Sequence, residues 1–264
     1  MRALWTAATG MKAQQLNIDI ISNNLANVNT TSFKRQRLEF KDLLYATMRK
    51  SNLASGEGSP VNLQVGHGVM ASSTTRQFVM GSLEQTNNPL DLAIKGEGFF
   101  AVRAPNGEFL YTRDGNFKLS VDGDETRLVT SGGYTVLSEE DDEIIFEEGM
   151  INFGISEMGV ISATNADGEI EELATIKLAS FINVEGLEAR GKNLFSATVS
   201  SGEEIFMEQE ARTTSIMQSY LETSNVQIVD EMVRMITAQR AYEISSKAIQ
   251  TSDEMLSIAN NLKR

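Results

Sequence analysis

The stretch "LETSNVQIVDEMVRMITAQRAYEISSKAIQTSDEML", Leu221 to Leu256, places Leu221, Ile228, Met235, Tyr242, Ile249 and Leu256 seven residues apart. Two turns of α-helix take about 7 residues, so this row lies along one side of a helix. The rows beside it hold Met232, Ala238 and Ala259, with Ser and Asn elsewhere. The apolar stripe is therefore narrow. A helix covering a globular core shows a broader stripe, whereas a narrow heptad row is the mark of a seam with another helix. The spacing predicts a C-terminal helix that needs a helical partner.

The N-terminus supplies a candidate. Leu4, Met11, Ile18 and Leu25 are again seven apart, with Ala7, Ile21 and Val28 three residues later and Gln14 as the one interruption. The pattern stops within "SNNLANVNTTSFKR", Ser22 to Arg35, at Thr30-Thr31-Ser32. Asn23, Asn24, Asn27 and Asn29 crowd this helix end.

Glycine and proline mark the region between. Apart from Gly10, every glycine lies between Gly56 and Gly202, as do Pro60, Pro89 and Pro105. Both residues punctuate turns and are costly inside helices. "LDLAIKGEGFFAVRAPNGEFLYTRDGNFKL" shows short alternating runs joined by Asn-Gly and Asp-Gly pairs, which favour tight hairpins. The fold class expected is α+β: N- and C-terminal helices pairing as a coiled-coil-like domain, with a central antiparallel β domain. The boundaries expected are 1–45 for the N-terminal helical part, 46–72 for an extended polar linker, 73–210 for the β domain and 211–264 for the C-terminal helical part.

Composition removes several functions. The 264-residue chain has a net charge of −13, against the basic footprint of a nucleic-acid binder. Residues 1–50 hold eight Lys/Arg and three Asp/Glu, so the acidity belongs to the middle. There is no cysteine, and His67 is the only histidine, which removes thiolate chemistry and multi-histidine zinc sites. His67 sits in a Gly-His-Gly tip, a poor mount for a general base. "GEGFFA" fits a dinucleotide fingerprint at Gly96, Gly98 and Ala101, but it runs on into a strand, not a helix. "NADGEIEE" lacks the closing glutamate of a calcium loop, since that position is Ile176. "EEDDE", Glu139 to Glu143, reads as a solvated loop, and Asn29-Thr30-Thr31 as a chance sequon. Lys34, Arg35 and Arg37 form a basic cluster open to an anionic surface or to a neighbouring copy. The N-terminus is not a cleavable secretory signal, and no run is long enough to span a membrane. No enzyme, cofactor or metal site is expected.

Several blocks, in order, resemble one family. "SNNLANVNTTSFKR", "TNNPLDLAIKGEGFFAV", "YTRDGNF", "LVTSGGYTV" and "SNVQIVDEMVRMITAQRAYEISSKAIQTSDEML" are similar to the signature segments of the bacterial flagellar axial proteins, the rod and hook subunits. The resemblance covers nearly the whole chain. The length and the segment "EFKDLLYATMRK" point within that family to the distal part of the rod, with proximal-rod or hook-type subunits as the nearest alternatives. A secreted β-domain binding protein or carbohydrate-active enzyme on a coiled-coil stalk is the alternative from another class. The resemblance implies a structural subunit that polymerises into a hollow drive shaft passing torque to the hook. The implied partners are other copies of the chain, proximal-rod proteins, the hook protein, surrounding ring proteins and the flagellar export apparatus. The implied location is the basal body in the periplasmic and cell-wall region, reached without a cleaved leader. On this reading Leu4, Met11, Ile18, Leu25, Leu221, Ile228, Met235, Tyr242, Ile249 and Leu256 form the assembly seam. Asn23, Asn24, Asn27 and Asn29 would give polar packing contacts to neighbouring subunits. The family usually has glycine where this chain has Ser32, so this serine would have to accept the backbone angle a glycine takes there.

Overall fold

The computed structural model describes residues 2–49, 62–122, 125–146, 150–165, 170–206 and 214–261. The chain divides into two compact units. Met1–Ala26, Gln36–Arg76 and Gln227–Arg264 make the first; Asn27–Arg35 and Gln77–Val226 make the second.

The first unit is built on two long helices, α1 (Arg2–Ala26) and α2 (Ile228–Asn261). They pack along each other. Asn24 meets Glu231, and a Cβ on Gly10 would lie 3.4 Å from Ser245 Oγ, so the two helices run antiparallel. Asp230 and Glu231 stand in the first turn of α2, where carboxylates complement the helix dipole. Two antiparallel strand pairs complete the unit: Gln36–Asp42 with Val69–Arg76, and Tyr45–Arg49 with Leu63–Gly66. Gly68 turns the chain between Leu63–Gly66 and Val69–Arg76 at φ +112°, and a Cβ there would run into the Thr9 hydroxyl of α1. Glycine is required on both counts. The expected linker over 46–72 is thus corrected where it is described: Leu63–Gly66 and Val69–Arg76 are paired strands, while 50–61 lie outside the described residues.

The second unit is the antiparallel β domain. Among the described residues its largest sheet has ten strands, with Phe99–Arg103 near the centre between Phe109–Thr112 and Thr135–Val136. Side chains alternate across that strand. Phe100 and Val102 enter one apolar core with Phe117, Leu128, Ile144 and Ile176; Phe99 and Ala101 enter another with Tyr111, Leu137, Phe181 and Phe195. Edge-on aromatic pairs close both, Phe100 on Phe117 and Phe99 on Phe195. Two short pairings, Leu92–Lys95 with Ser215–Gln218 and Leu83–Gln85 with Tyr220–Glu222, hold the stretch that precedes α2 to the β domain. Ser215–Gln218 and Tyr220–Glu222 are therefore strands and α2 begins at Ile228, which corrects the expected helical start at 211.

Candidate functional site

The chain passes between the units four times, after Ala26, Arg35, Arg76 and Val226. Each unit is tied by its own buried polar cluster close to these crossings.

In the second unit the cluster is centred on Glu222, whose side chain has no exposed surface. Its Oε1 accepts from Lys34 Nζ at 2.6 Å and from the Gly81 N–H at 2.7 Å; its Oε2 accepts from Arg113 Nε at 3.0 Å. The Arg113 guanidinium also donates to the carbonyls of Gly98 at 3.1 Å and Gly96 at 2.9 Å. Lys34 donates to the Val79 carbonyl at 3.0 Å. Positive φ angles at Gly96 (126°) and Gly98 (120°) bend the chain and turn these carbonyls to Arg113. The "GEGFF" glycines thus form a guanidinium cradle. Burial would raise the Glu222 carboxyl, but Arg113 and then Lys34 outweigh it and hold the group below the ordinary carboxylate range. Burial pushes the Lys34 ammonium down; Glu222 opposes this and Arg113 adds to it. One carboxylate thus serves two cations.

Around this centre the exit from α1 is fastened. Ser32 adopts φ +54°, its N–H donates to the Glu222 carbonyl at 2.8 Å, and its hydroxyl donates to the Arg113 carbonyl at 2.7 Å. Thr31 Oγ1 donates to Asp114 at 3.0 Å, while Asn193 donates to the Thr31 carbonyl at 2.8 Å. Burial raises the Asp114 carboxyl, against hydrogen bonds from Asn116, Thr31 and Asn193. Asn225 accepts from the Arg35 N–H at 2.8 Å and donates to the Gln77 carbonyl at 2.7 Å; the Gln77 N–H donates to the Arg35 carbonyl at 2.9 Å. Three crossing segments are thereby bound to one another inside the second unit.

In the first unit the cluster is centred on Asn24, which is buried. Its Oδ1 accepts from the Gln36 N–H at 2.9 Å, and its Nδ2 donates to the Gln36 carbonyl at 2.9 Å and to Glu231 Oε2 at 3.1 Å. The amide thus acts as one rung of a β-ladder and spends its remaining N–H on a carboxylate buried at the start of α2. No aspartate or leucine offers that set.

The sequence-predicted residues divide as follows. Leu4, Met11, Ile18 and Leu25 are half-buried on α1. Leu221 is not on α2 but buried in the strand Tyr220–Glu222. The remaining row lies on α2 with Met235 and Ile249 half-buried and Ile228, Tyr242 and Leu256 exposed. The face of α2 that meets α1 is the row three residues on: Glu231, Ala238, Ser245 and Ser252, of which Glu231, Ala238 and Ser252 are buried. Small and polar residues let the backbones approach, and that puts the apolar row at the edge of the contact. Of the asparagines, Asn24 is engaged within its own chain. Asn27 accepts from Thr30 Oγ1 at 3.2 Å, and Asn23 and Asn29 are exposed. Lys34 is not open to a neighbour, being buried on Glu222; its burial is the physical reason the basic-cluster reading fails there. Sequence reasoning missed Glu222 and Arg113. The one available signal was their position inside the quoted blocks, beside Leu221 and within "YTRDGNF".

The chain matches three protein-family models: "Flagella basal body rod protein" over residues 4–34, "Flagellar hook protein FlgE/F/G D1 domain" over 93–163, and "Flagellar basal body rod FlgEFG protein C-terminal" over 217–262. Among curated proteins it is 49% identical to the flagellar basal-body rod protein FlgG of Borreliella burgdorferi, across 100% of this chain and 99% of that one. It is 44% identical to the protein of the same name from Caulobacter vibrioides and 36% to that from Bacillus subtilis, across 100% of both chains in each case.

Proposed function

We infer that this chain, which belongs to the flagellar basal-body rod protein family, is the structural subunit of the distal rod. It is a structural protein and not an enzyme. Copies of it assemble helically with other rod and hook proteins; proximal-rod proteins, the hook protein, encircling rings and the export apparatus are the contacts proposed for it. The observation that carries this reading is the unfinished state of the first unit. Among the described residues its buried apolar residues are Ala13, Ile21, Leu38 and Ala238, and two of the four are alanines. Meanwhile large apolar side chains stand in solvent along both helices and the strand pairs, including Trp5 at 63%, Met48 at 61%, Val229 at 73% and Ile244 at 68% exposed. The β domain, by contrast, closes two cores of its own. A unit with so little interior and so much apolar surface is completed by other molecules. The half-open rows Leu4–Leu25 and Ile228–Leu256 are the seam proposed for that contact, with coiled-coil character supplied between copies.

The two polar clusters suit a part that transmits torque, since chain segments next to the crossings are fastened within each unit by buried hydrogen bonds. The test is electron microscopy of purified protein at high concentration, together with recovery of basal bodies from a host lacking its own copy. Tubes or short filaments, and rods containing the chain, are expected. Discrete monomers with ligand-dependent stability would sink the reading.

A further inference from the structure

We propose that the outer face of the C-terminal half of α2 on one copy seats in an apolar groove beside α1 on the next copy, antiparallel to it. This rests on the rod reading and adds a second contact between copies, made by a face of α2 other than the seam row.

The groove belongs to the first unit, has a volume of about 350 Å³, and lies between α1 and the strand Val69–Arg76. Ala13, Leu16, Leu43, Val69 and Met70 give it an apolar lining, and Lys12 is the one charged residue among its walls. Leu16 and Met70 at its sides are 40% and 48% exposed. The chain's own α2 does not fill it, because α2 meets α1 through the row of Glu231, Ala238, Ser245 and Ser252.

The complementary surface is on α2 itself. Ile244, Met255 and Ile258 are 68%, 62% and 61% exposed; helical spacing puts Ile244 and Ile258 on one flank with Lys247, Thr251 and Glu254, away from the row that meets α1, with Met255 at the edge of that flank nearest Ser252. A convex apolar stripe and a concave apolar groove on one molecule form a heterologous pair. Such pairs generate open-ended assemblies when the operation does not close.

Charge selects the orientation. Lys12 and Asp19 are exposed on the groove side of α1, seven residues apart; Lys247 and Glu254 are exposed on the stripe, also seven apart. Laid antiparallel, Lys12 meets Glu254 while Asp19 meets Lys247. Laid parallel, both meetings are between like charges. The antiparallel sense is also the one α2 holds towards its own α1. Copies that share one direction along an axis can therefore repeat the contact without inverting any subunit. A partner of unrelated sequence would have no reason to match both the seven-residue spacing and the sign order.

The chain has no cysteine, so introduced thiols report without background. Lys12→Cys and Glu254→Cys chains, each carrying one thiol, are expressed together in a host lacking its own copy. Basal bodies are isolated, oxidised and denatured. The expected result is a disulfide-linked dimer, because a disulfide requires Cα atoms within roughly 7 Å. The pair Lys12→Cys with Lys247→Cys, which only the parallel seating would bring together, should give none. Rods that contain the chain but yield no 12–254 dimer, or yield the 12–247 dimer instead, overturn the seating and leave the rod reading intact. Absence of the chain from isolated rods overturns the rod reading and this inference with it.

Discussion

Glu222→Gln is the sharpest test of the buried cluster. The carboxylate accepts three hydrogen bonds, from Lys34, Gly81 and Arg113, with a side chain that has no exposed surface. Glutamine keeps one acceptor oxygen. Its amide must then point N–H groups either at Lys34 Nζ and the Gly81 N–H, or at Arg113 Nε, so donors face donors. Two cations also lose the counter-charge they share. Breaking a buried pair by removing one partner costs roughly 3–5 kcal/mol. For a unit of this size each 1 kcal/mol moves the melting temperature by about 2–4 °C. A fall of about 6–20 °C in the melting of the β domain is therefore expected, read by calorimetry on the purified chain. Lys34→Met should cost much less, because it leaves Arg113 and Glu222 as a balanced pair and removes an ammonium that burial already disfavours. The double variant should recover part of the Glu222→Gln loss. Acid completes the argument. The folded-state pKa of Glu222 is depressed, so its contribution is fully present above the unfolded value, about 4.3, and is lost as pH falls through the folded value below that. Glu222→Gln should flatten stability against pH in that acid window and leave its shape near neutrality unchanged. Equal destabilisation by Lys34→Met and Glu222→Gln, or an unaltered acid profile, would refute the reasoning.

Other outcomes follow from the same geometry. Asn24→Leu removes both bonds to the Gln36 backbone and the bond to Glu231, at roughly 1–3 kcal/mol per buried group left without its bond; loss of helical circular dichroism on mild heating checks it, and an unchanged melt counts against the rung. Ser32→Gly removes the hydroxyl bond to Arg113 but relieves a left-handed serine. Those effects oppose each other at about 1 kcal/mol each, so stability measured by urea titration should shift by less than either alone. Met235→Lys puts an ammonium into the half-buried seam proposed between copies. The β domain should fold and the chain be exported while basal bodies fail to form, and normal swimming would show that this row is not buried in the assembly.

The division into helical ends and a β middle was legible because glycine, proline and the heptad rows each read local chemistry. The Asn106-Gly107 hairpin, with Gly107 at φ +85°, and the GEG bend between strands were legible for the same reason: only certain residues accept the required φ angles. Asp114-Gly115 is no hairpin, because the strand before it pairs with Phe99–Arg103 and the strand after it with Glu125–Thr130. The family glycine left the angle at Ser32 open; the serine takes a left-handed φ of +54°. Partners distant in sequence were not legible. Glu222 is 188 residues from Lys34 and 109 from Arg113, and nothing in spacing or composition marks three charges that meet only after the β domain closes. Lys34 in "FKRQR" reads as surface for the same reason.

The helix pairing carries a further lesson in the weighing of apolar against small residues. Periodicity draws the eye to Ile228, Met235, Tyr242, Ile249 and Leu256, since hydrophobicity is what a heptad search counts. The contact inside the chain uses the row three residues on, where Glu231, Ala238, Ser245 and Ser252 face Gly10 and Asn24 of α1. Small residues permit close backbone approach, and the buried Asn24–Glu231 bond sets register at one end, a role polar residues fill in helical seams. The division has a physical consequence for assembly. If the large apolar row were consumed within the chain, the subunit would be a finished monomer. Because the small row performs the internal pairing, the large side chains stay at the margin of the helix pair. There they are half-exposed, and burial of that surface between copies can drive polymerisation at about 25 cal/mol per Å².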